Sequence, residues 1–122
     1  MFSMINFFAC FFLLPSVMCS SDIPKISKSA SSESLKESSY FSATCSVNQG
    51  ALPLFFTWHK DNQVIADTNV KIISMSERIS TLIIEKVSAN DSGNYTCNVR
   101  NTFGNDEHTI SLIIKGIDDL KY

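Results

Sequence analysis

Two cysteines, Cys45 and Cys97, constrain this chain more than any other feature of its sequence. The other two, Cys10 and Cys19, lie in or beside an apolar N-terminal stretch that is typical of an export signal. Export would leave Cys45 and Cys97 as one pair in an oxidising compartment, so we expect a disulfide between them. Closing a loop of about fifty residues stabilises a fold by roughly 4 kcal/mol in the chain-entropy model. The alternative is two unbonded, buried thiols.

The N-terminal stretch is interpreted as a signal peptide over residues 1–19. No charged side chain precedes Asp22, and the apolar run of about ten residues is shorter than a comfortable bilayer span. Val17 and Cys19 suit the positions before a cleavage site, which predicts a mature chain from Ser20. Because no Lys or Arg precedes the apolar run, an uncleaved membrane anchor is the alternative. A retained Cys19 would carry an exposed thiol that favours intermolecular pairing.

The length of 122 residues predicts one domain. A formal net charge of −2 gives no reason to expect contact with a phosphate backbone, so nucleic acid is not an expected partner. The serine-rich run SKSASSES belongs to a predicted flexible lead and first strand over residues 20–32. The domain itself is expected over residues 23–115. A tail over residues 116–122 follows, and no transmembrane span or lipid-anchor pattern is recognised after the signal peptide.

Short alternating runs recur between turn signals, which predicts strands rather than helices. Every second residue from Phe41 to Val47 is apolar, and the run LFFTWHKD alternates around Trp58 in the same way. Later runs direct Leu82 and Ile84 inward, and then every second residue from 110 to 114. The turn-rich segments KDNQ, SERIS and NTFGND separate these runs. The expected fold class is all-β, an antiparallel sandwich with one core between two sheets.

The stretch NDSGNYTCNV places four residues at every second position: Asp91, Gly93, Tyr95 and Cys97. In a strand, Tyr95 and Cys97 would both face the core. Tyr95 stands two residues before the cysteine, where its hydroxyl can return to the upstream backbone. Gly93 is expected to relieve the tight turn entering the strand, and Asp91 to accept hydrogen bonds there. The only tryptophan, Trp58, is expected to pack against the disulfide.

These landmarks resemble the framework of the immunoglobulin superfamily over about residues 23–115. The residues that carry the resemblance are Cys45, Trp58, Leu82, Asp91, Gly93, Tyr95 and Cys97. The run CNVRNTFG resembles the intermediate form of the domain, the I-set, found in adhesion molecules. GALPLFFTWHKDN and ERISTLIIEKVSANDSGNYTC are similar to domains of the arthropod Down syndrome cell adhesion molecules, the Dscam proteins. The sequence departs from the family in one respect. In many members an arginine pairs with the residue at the Asp91 position, but here no arginine is clearly placed to do so, because Arg78 lies beside a predicted turn. The resemblance therefore does not predict that salt bridge for this chain.

The resemblance implies an I-set β-sandwich with one inter-sheet disulfide that works by protein–protein recognition. The implied process is homophilic or heterophilic cell adhesion of the neuronal recognition and axon-guidance type. The implied partner is a protein, either a second copy or another immunoglobulin-superfamily protein of the cell surface. The chain would be secreted, or would be a fragment of a longer receptor on the extracellular side of the plasma membrane. The alternatives are a soluble immune recognition factor for a microbial or host ligand, and a structural spacer.

An enzymatic activity is not expected from the residues. The sequence has only two histidines, His59 and His108, and neither belongs to a recognisable nucleophile or metal-ligand spacing. Zinc would need soft ligands, and the cysteines of the mature chain are already assigned to a disulfide. We therefore expect no enzyme, no metal site and no cofactor.

Outward positions of the predicted sheet supply the candidate partner-binding residues. Phe55 is either an interface anchor or an apolar side chain covered by its neighbours. Phe103, at the tip of NTFGND, serves either recognition or local packing over the hairpin. Arg100 either bridges to a partner carboxylate or is solvated or paired within the chain. His59 and Asn98 are expected on the same face.

Two tripeptides match the acceptor pattern for N-linked glycans in an exported chain, which predicts a glycoprotein. They begin at Asn90, in NDS, and at Asn94, in NYT. Asn90 is expected in the turn before a strand, and Asn94 is expected to point outward at the beginning of that strand. A glycan on Asn94 would exclude an interface centred there.

Overall fold

A computed structural model describes residues 20–116 of the protein, so the expected signal peptide and residues 117–122 lie outside the described residues. Nine strands make up most of this part of the chain: β1 (Lys25–Ile26), β2 (Ser32–Lys36), β3 (Phe41–Gln49), β4 (Phe55–Lys60), β5 (Gln63–Val64), β6 (Val70–Ser76), β7 (Ile79–Ile84), β8 (Gly93–Arg100) and β9 (Asn105–Lys115). Two short 3-10 turns, Ser20–Asp22 and Ala89–Asp91, accompany them. Within residues 20–116 no helix is long and apolar enough to cross a membrane.

The strands form two sheets, with the orders β1-β3-β7-β6 and β2-β9-β8-β4-β5. The expected all-β sandwich is confirmed. Neighbouring strands run antiparallel, except that β2 runs parallel to β9. Because successive side chains of a strand point to opposite faces, every second residue enters the space between the sheets. The buried apolar side chains there are Ile26, Phe41, Ala43, Cys45, Val47, Trp58, Leu82, Ile84, Val87, Tyr95, Cys97, Val99, Ile110 and Leu112.

The serine-rich run carries the chain from one sheet to the other. β1 belongs to the first sheet and β2 to the second. Between them, the N–H of Ser27 donates to the carbonyl of Ser46 at 2.8 Å, and the N–H of Ser111 donates to the carbonyl of Ser31 at 2.9 Å. The serines of the expected flexible lead are thus hydrogen-bonded to both sheets.

The predicted disulfide is confirmed, with the Sγ atoms of Cys45 and Cys97 2.10 Å apart. It joins β3 to β8, an inner strand of each sheet. Trp58 is buried and lies directly opposite Cys97 on the adjacent strand. Its indole N–H donates to Oγ of Ser80, on β7 of the other sheet, at 2.9 Å. Since Ser80 lies directly opposite Cys45, the covalent bond and the hydrogen bond connect the two sheets side by side.

The corner that leads into β8 is closed by Tyr95. This side chain is fully buried, and its hydroxyl donates to the carbonyl of Asp91 at 2.6 Å. Gly93 is the first residue of β8, and a Cβ added to it would lie only 2.7 Å from Oδ2 of Asp61. The end of the Asp61 side chain could move away, but Gly93 has a φ of +156°, a backbone conformation that L side chains rarely adopt, and this favours a glycine here.

Asp91 is buried and is held by hydrogen bonds to uncharged groups. Its Oδ2 accepts from the N–H of Ser88 at 2.8 Å, and its Oδ1 accepts from Nδ2 of Asn69 at 3.1 Å. Arg78 donates instead to the carbonyl of Gly50 at 3.0 Å. Within residues 20–116, the carboxylate of Asp91 makes no ion pair. In the described residues the carboxylate thus contacts the amide of Asn69 rather than the arginine that pairs with it in many members of the resembled family.

We expect Ser80→Ala to lower the free energy of unfolding by about 1–3 kcal/mol, because the buried indole N–H of Trp58 would lose its acceptor. Ser42→Ala, at an exposed position of β3, is the matched control and should change it by less than about 0.5 kcal/mol. Urea unfolding followed by the fluorescence of the only tryptophan measures both. Equal stability of the two variants would contradict a role for this bond.

Tyr95→Phe should weaken the fold at neutral pH and also make its stability less sensitive to alkali. Burial raises the pKa of the Tyr95 hydroxyl above its usual value, and the charges of Asp91, Asp67 and Asp61 raise it further. The neutral phenol therefore contributes stability that is complete below about pH 10, the unfolded value, and is lost as the pH rises above it. Urea midpoints of wild type and Tyr95→Phe measured from pH 7 to 11 should converge. Parallel curves would contradict this coupling.

Candidate partner-binding face

The outward face of the five-stranded sheet is organised in rows across β4, β8 and β9. One row consists of Phe55, Arg100 and Asn105. The next consists of Thr57, Asn98 and Glu107, and a third of His59, Thr96 and Thr109. The alternation of each strand places these residues outward, opposite the side that carries Trp58 and Cys97. The structure thus brings together four of the predicted partner-binding residues, namely Phe55, His59, Asn98 and Arg100.

Phe55 and Arg100 form the most distinctive pair of this face. The side chain of Phe55 is 49% exposed, although it is a large aromatic residue. The guanidinium carbon of Arg100 lies 5.0 Å from the centroid of its ring, within the range of a cation–π contact. Arg100 thus covers the ring on one side and leaves about half of the side chain accessible, so neighbours cover Phe55 only in part, and its role as an interface anchor stays a prediction.

The rest of the face is polar. The hydroxyls of Thr96 and Thr109 are 2.7 Å apart and hydrogen-bonded, while His59 and Asn98 are half-buried between neighbouring strands. Within residues 20–116 no group of three or more His, Cys, Asp or Glu side chains has the arrangement of a metal site. These polar side chains can therefore form hydrogen bonds with a partner around the apolar and cationic Phe55–Arg100 pair.

Phe103 lies at the turn between β8 and β9 and is half-buried. Oδ1 of Asn101 accepts hydrogen bonds from the N–H groups of Phe103, at 2.8 Å, and Gly104, at 3.1 Å. Nδ2 of Asn101 donates to the carbonyls of Asp22, at 2.7 Å, and Ala51, at 2.9 Å. One amide side chain therefore fixes the hairpin to two other loops, so Phe103 sits on a well-anchored turn.

The two glycan acceptor patterns lie at the opposite end of β8 from Arg100. Asn94 is exposed on the outward face, and its N–H donates to Oδ1 of Asp61 at 2.9 Å. Asn90 is exposed in the 3-10 turn, where its carbonyl accepts a hydrogen bond from Nζ of Lys60 at 2.5 Å. Both asparagine side chains are accessible, and whether they carry glycans stays a prediction.

Sequence reasoning did not identify three other exposed apolar groups. On the five-stranded sheet, Val64 is 75% exposed beside His59, and Ile113 is 53% exposed on β9. On the other sheet, β6 exposes Ile72, Ile73 and Met75. β5 has only two residues, too few for an alternating signal, and β6 has adjacent isoleucines that fit no period of two.

Comparison with known proteins identifies the relatives of this chain. A sequence model of the immunoglobulin domain family matches residues 23–101. Cell adhesion molecule DSCAML1 of Mus musculus is 37% identical over 71 residues, which cover 58% of this chain and 4% of that protein. Cell adhesion molecule Dscam2 of Drosophila melanogaster is 32% identical over 93 residues, which cover 75% of this chain and 4% of that protein. The chain thus spans only a small part of the length of these relatives.

Solved structures show the same fold. The crystal structure of the Dscam1 Ig7 domain, isoform 5, matches with a TM-score of 0.72 and 22% identity, covering 79% of this chain and 100% of that chain. The crystal structure of the titin M3 domain matches with a TM-score of 0.68 and 23% identity, covering 76% of this chain and 97% of that chain. Domains of Dscam1 and of titin, two differently named proteins, therefore share this β-sandwich fold.

We expect Asn101→Ala to release the hairpin that carries Phe103. The N–H groups of Phe103 and Gly104 would lose their common acceptor, at a cost of about 1–3 kcal/mol. Asn101→Asp is the matched variant, because a carboxylate still accepts both bonds but cannot donate to the carbonyls of Asp22 and Ala51. Hydrogen exchange measured by NMR should show faster exchange of the two hairpin amides in Asn101→Ala than in Asn101→Asp. Equal rates in the two variants would contradict the role of Oδ1.

Proposed function

The chain belongs to the immunoglobulin domain family, and from that premise we propose that it acts by protein–protein recognition through the outward face of its five-stranded sheet. The proposed process is cell adhesion, either homophilic or with another immunoglobulin-superfamily protein, of the kind used in neuronal recognition and axon guidance. The names of the relatives support adhesion as the process. Because the match covers 4% of their length, the activity of those whole proteins is itself only a proposal for this chain.

The observation that carries this proposal is the Phe55–Arg100 pair. An aromatic side chain that is 49% exposed still has apolar surface to lose from water, and aromatic residues, Phe included, and Arg are enriched in the cores of protein interfaces. The guanidinium of Arg100 lies 5.0 Å from the ring centroid, and a cation–π contact favours ring orientations that keep it, which reduces the side-chain entropy lost when a partner docks. The neighbouring Asn98 and Thr57 supply the polar rim that interfaces commonly have.

The predicted glycan on Asn94 is consistent with an interface at the end of the face that carries Phe55 and Arg100. Asn94 and Arg100 are six residues apart on β8, which corresponds to about 20 Å at the rise of a β-strand. A glycan on Asn94 would therefore cover the end of the face away from Phe55. Secretion through the signal peptide over residues 1–19 is the route that would both glycosylate Asn94 and oxidise Cys45 and Cys97.

No catalytic step is proposed. The histidine of this face, His59, lies opposite Thr96 and Val64, neither of which is a nucleophile partnered by a general base. The activity that this arrangement supports is binding of a protein partner, in which the contact excludes water from the face. The working location is the extracellular space or the outer side of the plasma membrane, where a domain with this disulfide is stable.

Phe55→Ser should reduce partner binding while leaving the melting temperature nearly unchanged. The partially exposed ring contributes little to the core, and substitutions at such positions usually change stability by less than about 0.5 kcal/mol. Ile113→Ser is the matched control, because Ile113 is 53% exposed on the same sheet but lies away from Phe55. Beads coated with the secreted product of the full chain test homophily by clustering. A panel of soluble immunoglobulin-superfamily ectodomains tests binding to other proteins.

Binding that is lost in Phe55→Ser and kept in Ile113→Ser supports the proposed face. Equal binding by both variants would move the interface elsewhere. Loss of stability in Phe55→Ser would show that Phe55 belongs to the core instead. Absence of any clustering or ectodomain binding would contradict adhesion by this domain and favour the spacer role.

A further inference from the structure

Ile113 is an aliphatic residue that is largely uncovered on the outward face of the five-stranded sheet. It is 53% exposed. The outward positions beside it are Ser34, which lies opposite it on β2, and Ser111 and Lys115 on its own strand. Because these neighbours are small or polar, much of the apolar surface of Ile113 stays in contact with water in the described part of the chain, and covering that surface would be favourable.

Asn94 begins the glycan acceptor pattern NYT and lies close to Ile113 on the adjacent strand. Asn94 is directly opposite Ser111, and Ile113 is two residues further along β9 on the same face. Such diagonal neighbours in an antiparallel pair are about 7–8 Å apart. The first two sugars of an N-linked glycan are N-acetylglucosamine residues, and from the side chain of Asn94 they can reach across that distance.

The backbone of Asn94 is held in place, whereas its side chain is available. Its N–H donates to Oδ1 of Asp61 at 2.9 Å, and its carbonyl accepts from the N–H of Asp61 at 2.9 Å. The side-chain amide is exposed and has no hydrogen-bond partner among residues 20–116. A sugar can therefore be attached there without breaking a contact of the fold, and it would extend from a fixed point of the sheet.

The side chains around Asn94 favour one direction for these sugars. Asp61 is charged and already bonded to the backbone of Asn94. The hydroxyls of Thr96 and Thr109 are bonded to each other at 2.7 Å. Among the described outward neighbours of Asn94, Ile113 is the aliphatic one. One face of an N-acetylglucosamine ring presents C–H groups, and its acetyl methyl is also apolar, so contact with Ile113 would remove apolar surface of both from water.

We propose that the first sugars of an N-linked glycan on Asn94 lie over Ile113 and shield it from water. The inference rests on the glycosylation of Asn94 that the proposed function includes, and it adds the protein surface that the glycan contacts. The glycan would then be packed against β9 rather than extended into solvent. The apolar side chain of Ile113 would be closed to a partner, which leaves the Phe55 end of the face for recognition.

A double-variant cycle tests the contact on the full chain secreted from glycosylating cells. Asn90→Gln is present throughout, so that Asn94 is the acceptor left of the two patterns, and peptide mass spectrometry measures its occupancy. Asn94→Gln removes the glycan and should lower the melting temperature by roughly 2–5 °C. In an Ile113→Ser background the same change should leave the melting temperature nearly unchanged, because the sugars have already lost their apolar partner. Val64→Ser is the matched control, since it removes another exposed aliphatic side chain two strands from Asn94, and it should preserve the full effect of the glycan.

Two measurements on the glycosylated chain identify the sugar that makes the contact. Endoglycosidase treatment of a high-mannose form leaves the first N-acetylglucosamine on Asn94, and this single sugar should keep most of the gain in melting temperature. NMR spectra of protein with labelled isoleucine methyl groups should show nuclear Overhauser contacts between that sugar and the methyl groups of Ile113. Equal effects of Asn94→Gln in the presence and absence of Ile113→Ser would overturn the inference, and so would the absence of these contacts.

The outcomes separate this inference from the proposed function. Nuclear Overhauser contacts to Ile113 from a second copy of the chain, or from residues 117–122, would assign Ile113 to a different occupant and overturn the inference alone. An unoccupied Asn94 would contradict both the predicted glycan and this inference, but not recognition at Phe55. Absence of partner binding in every glycosylated form would contradict the proposed function, while contacts between the sugar and Ile113 would still support the inference.

Discussion

The disulfide between Cys45 and Cys97 joins β3 to β8, the hydrogen bond from Trp58 to Ser80 joins their neighbours β4 and β7, and the rest of the molecule is arranged around these two bonds. Cys97 lies opposite Trp58 in one sheet, and Cys45 lies opposite Ser80 in the other. The four residues therefore contact one another in a ring. The disulfide and the hydrogen bond cross between the sheets, and the pairs Cys97–Trp58 and Cys45–Ser80 are neighbours within a sheet. Once Trp58 is fixed inward, the two-residue repeat of β4 forces its alternate residues, among them Phe55, to the outside.

The parts of this structure that follow from local alternation could be predicted from the sequence. The inward residues of β3 and β8 repeat strictly at every second position, so the sandwich and its disulfide follow from the pattern and from the spacing of two cysteines. The outward position of Phe55 follows in the same way. Its contact with Arg100 does not, because it depends on the register between β4 and β8, and a slip of one residue would separate the two side chains.

Other features depend on contacts between distant parts of the chain and therefore left no local signal. The amide of Asn69 meets Asp91 across 22 positions, which no short motif encodes. Asn101 contacts carbonyls of two loops far away in sequence, so its role at the hairpin could not be foreseen from NTFGND alone. The edge position of β6 is likewise a property of strand order, and adjacent apolar residues at Ile72 and Ile73 give no sign of which side faces solvent.

The parallel pairing of β2 with β9 has a consequence for the order of events during synthesis. β2 contains residues 32–36, and the one strand that pairs with it in the described part of the chain contains residues 105–115. A chain that leaves the ribosome from its N-terminus holds β2 without a partner until nearly the whole domain has emerged. Cys97 emerges before β9 begins, so the covalent link between the sheets can close while one sheet still lacks its last two strands. The disulfide can therefore form before the fold is complete, whereas the pairing of β2 with β9, which joins the two ends of the domain, has to wait until β9 has emerged.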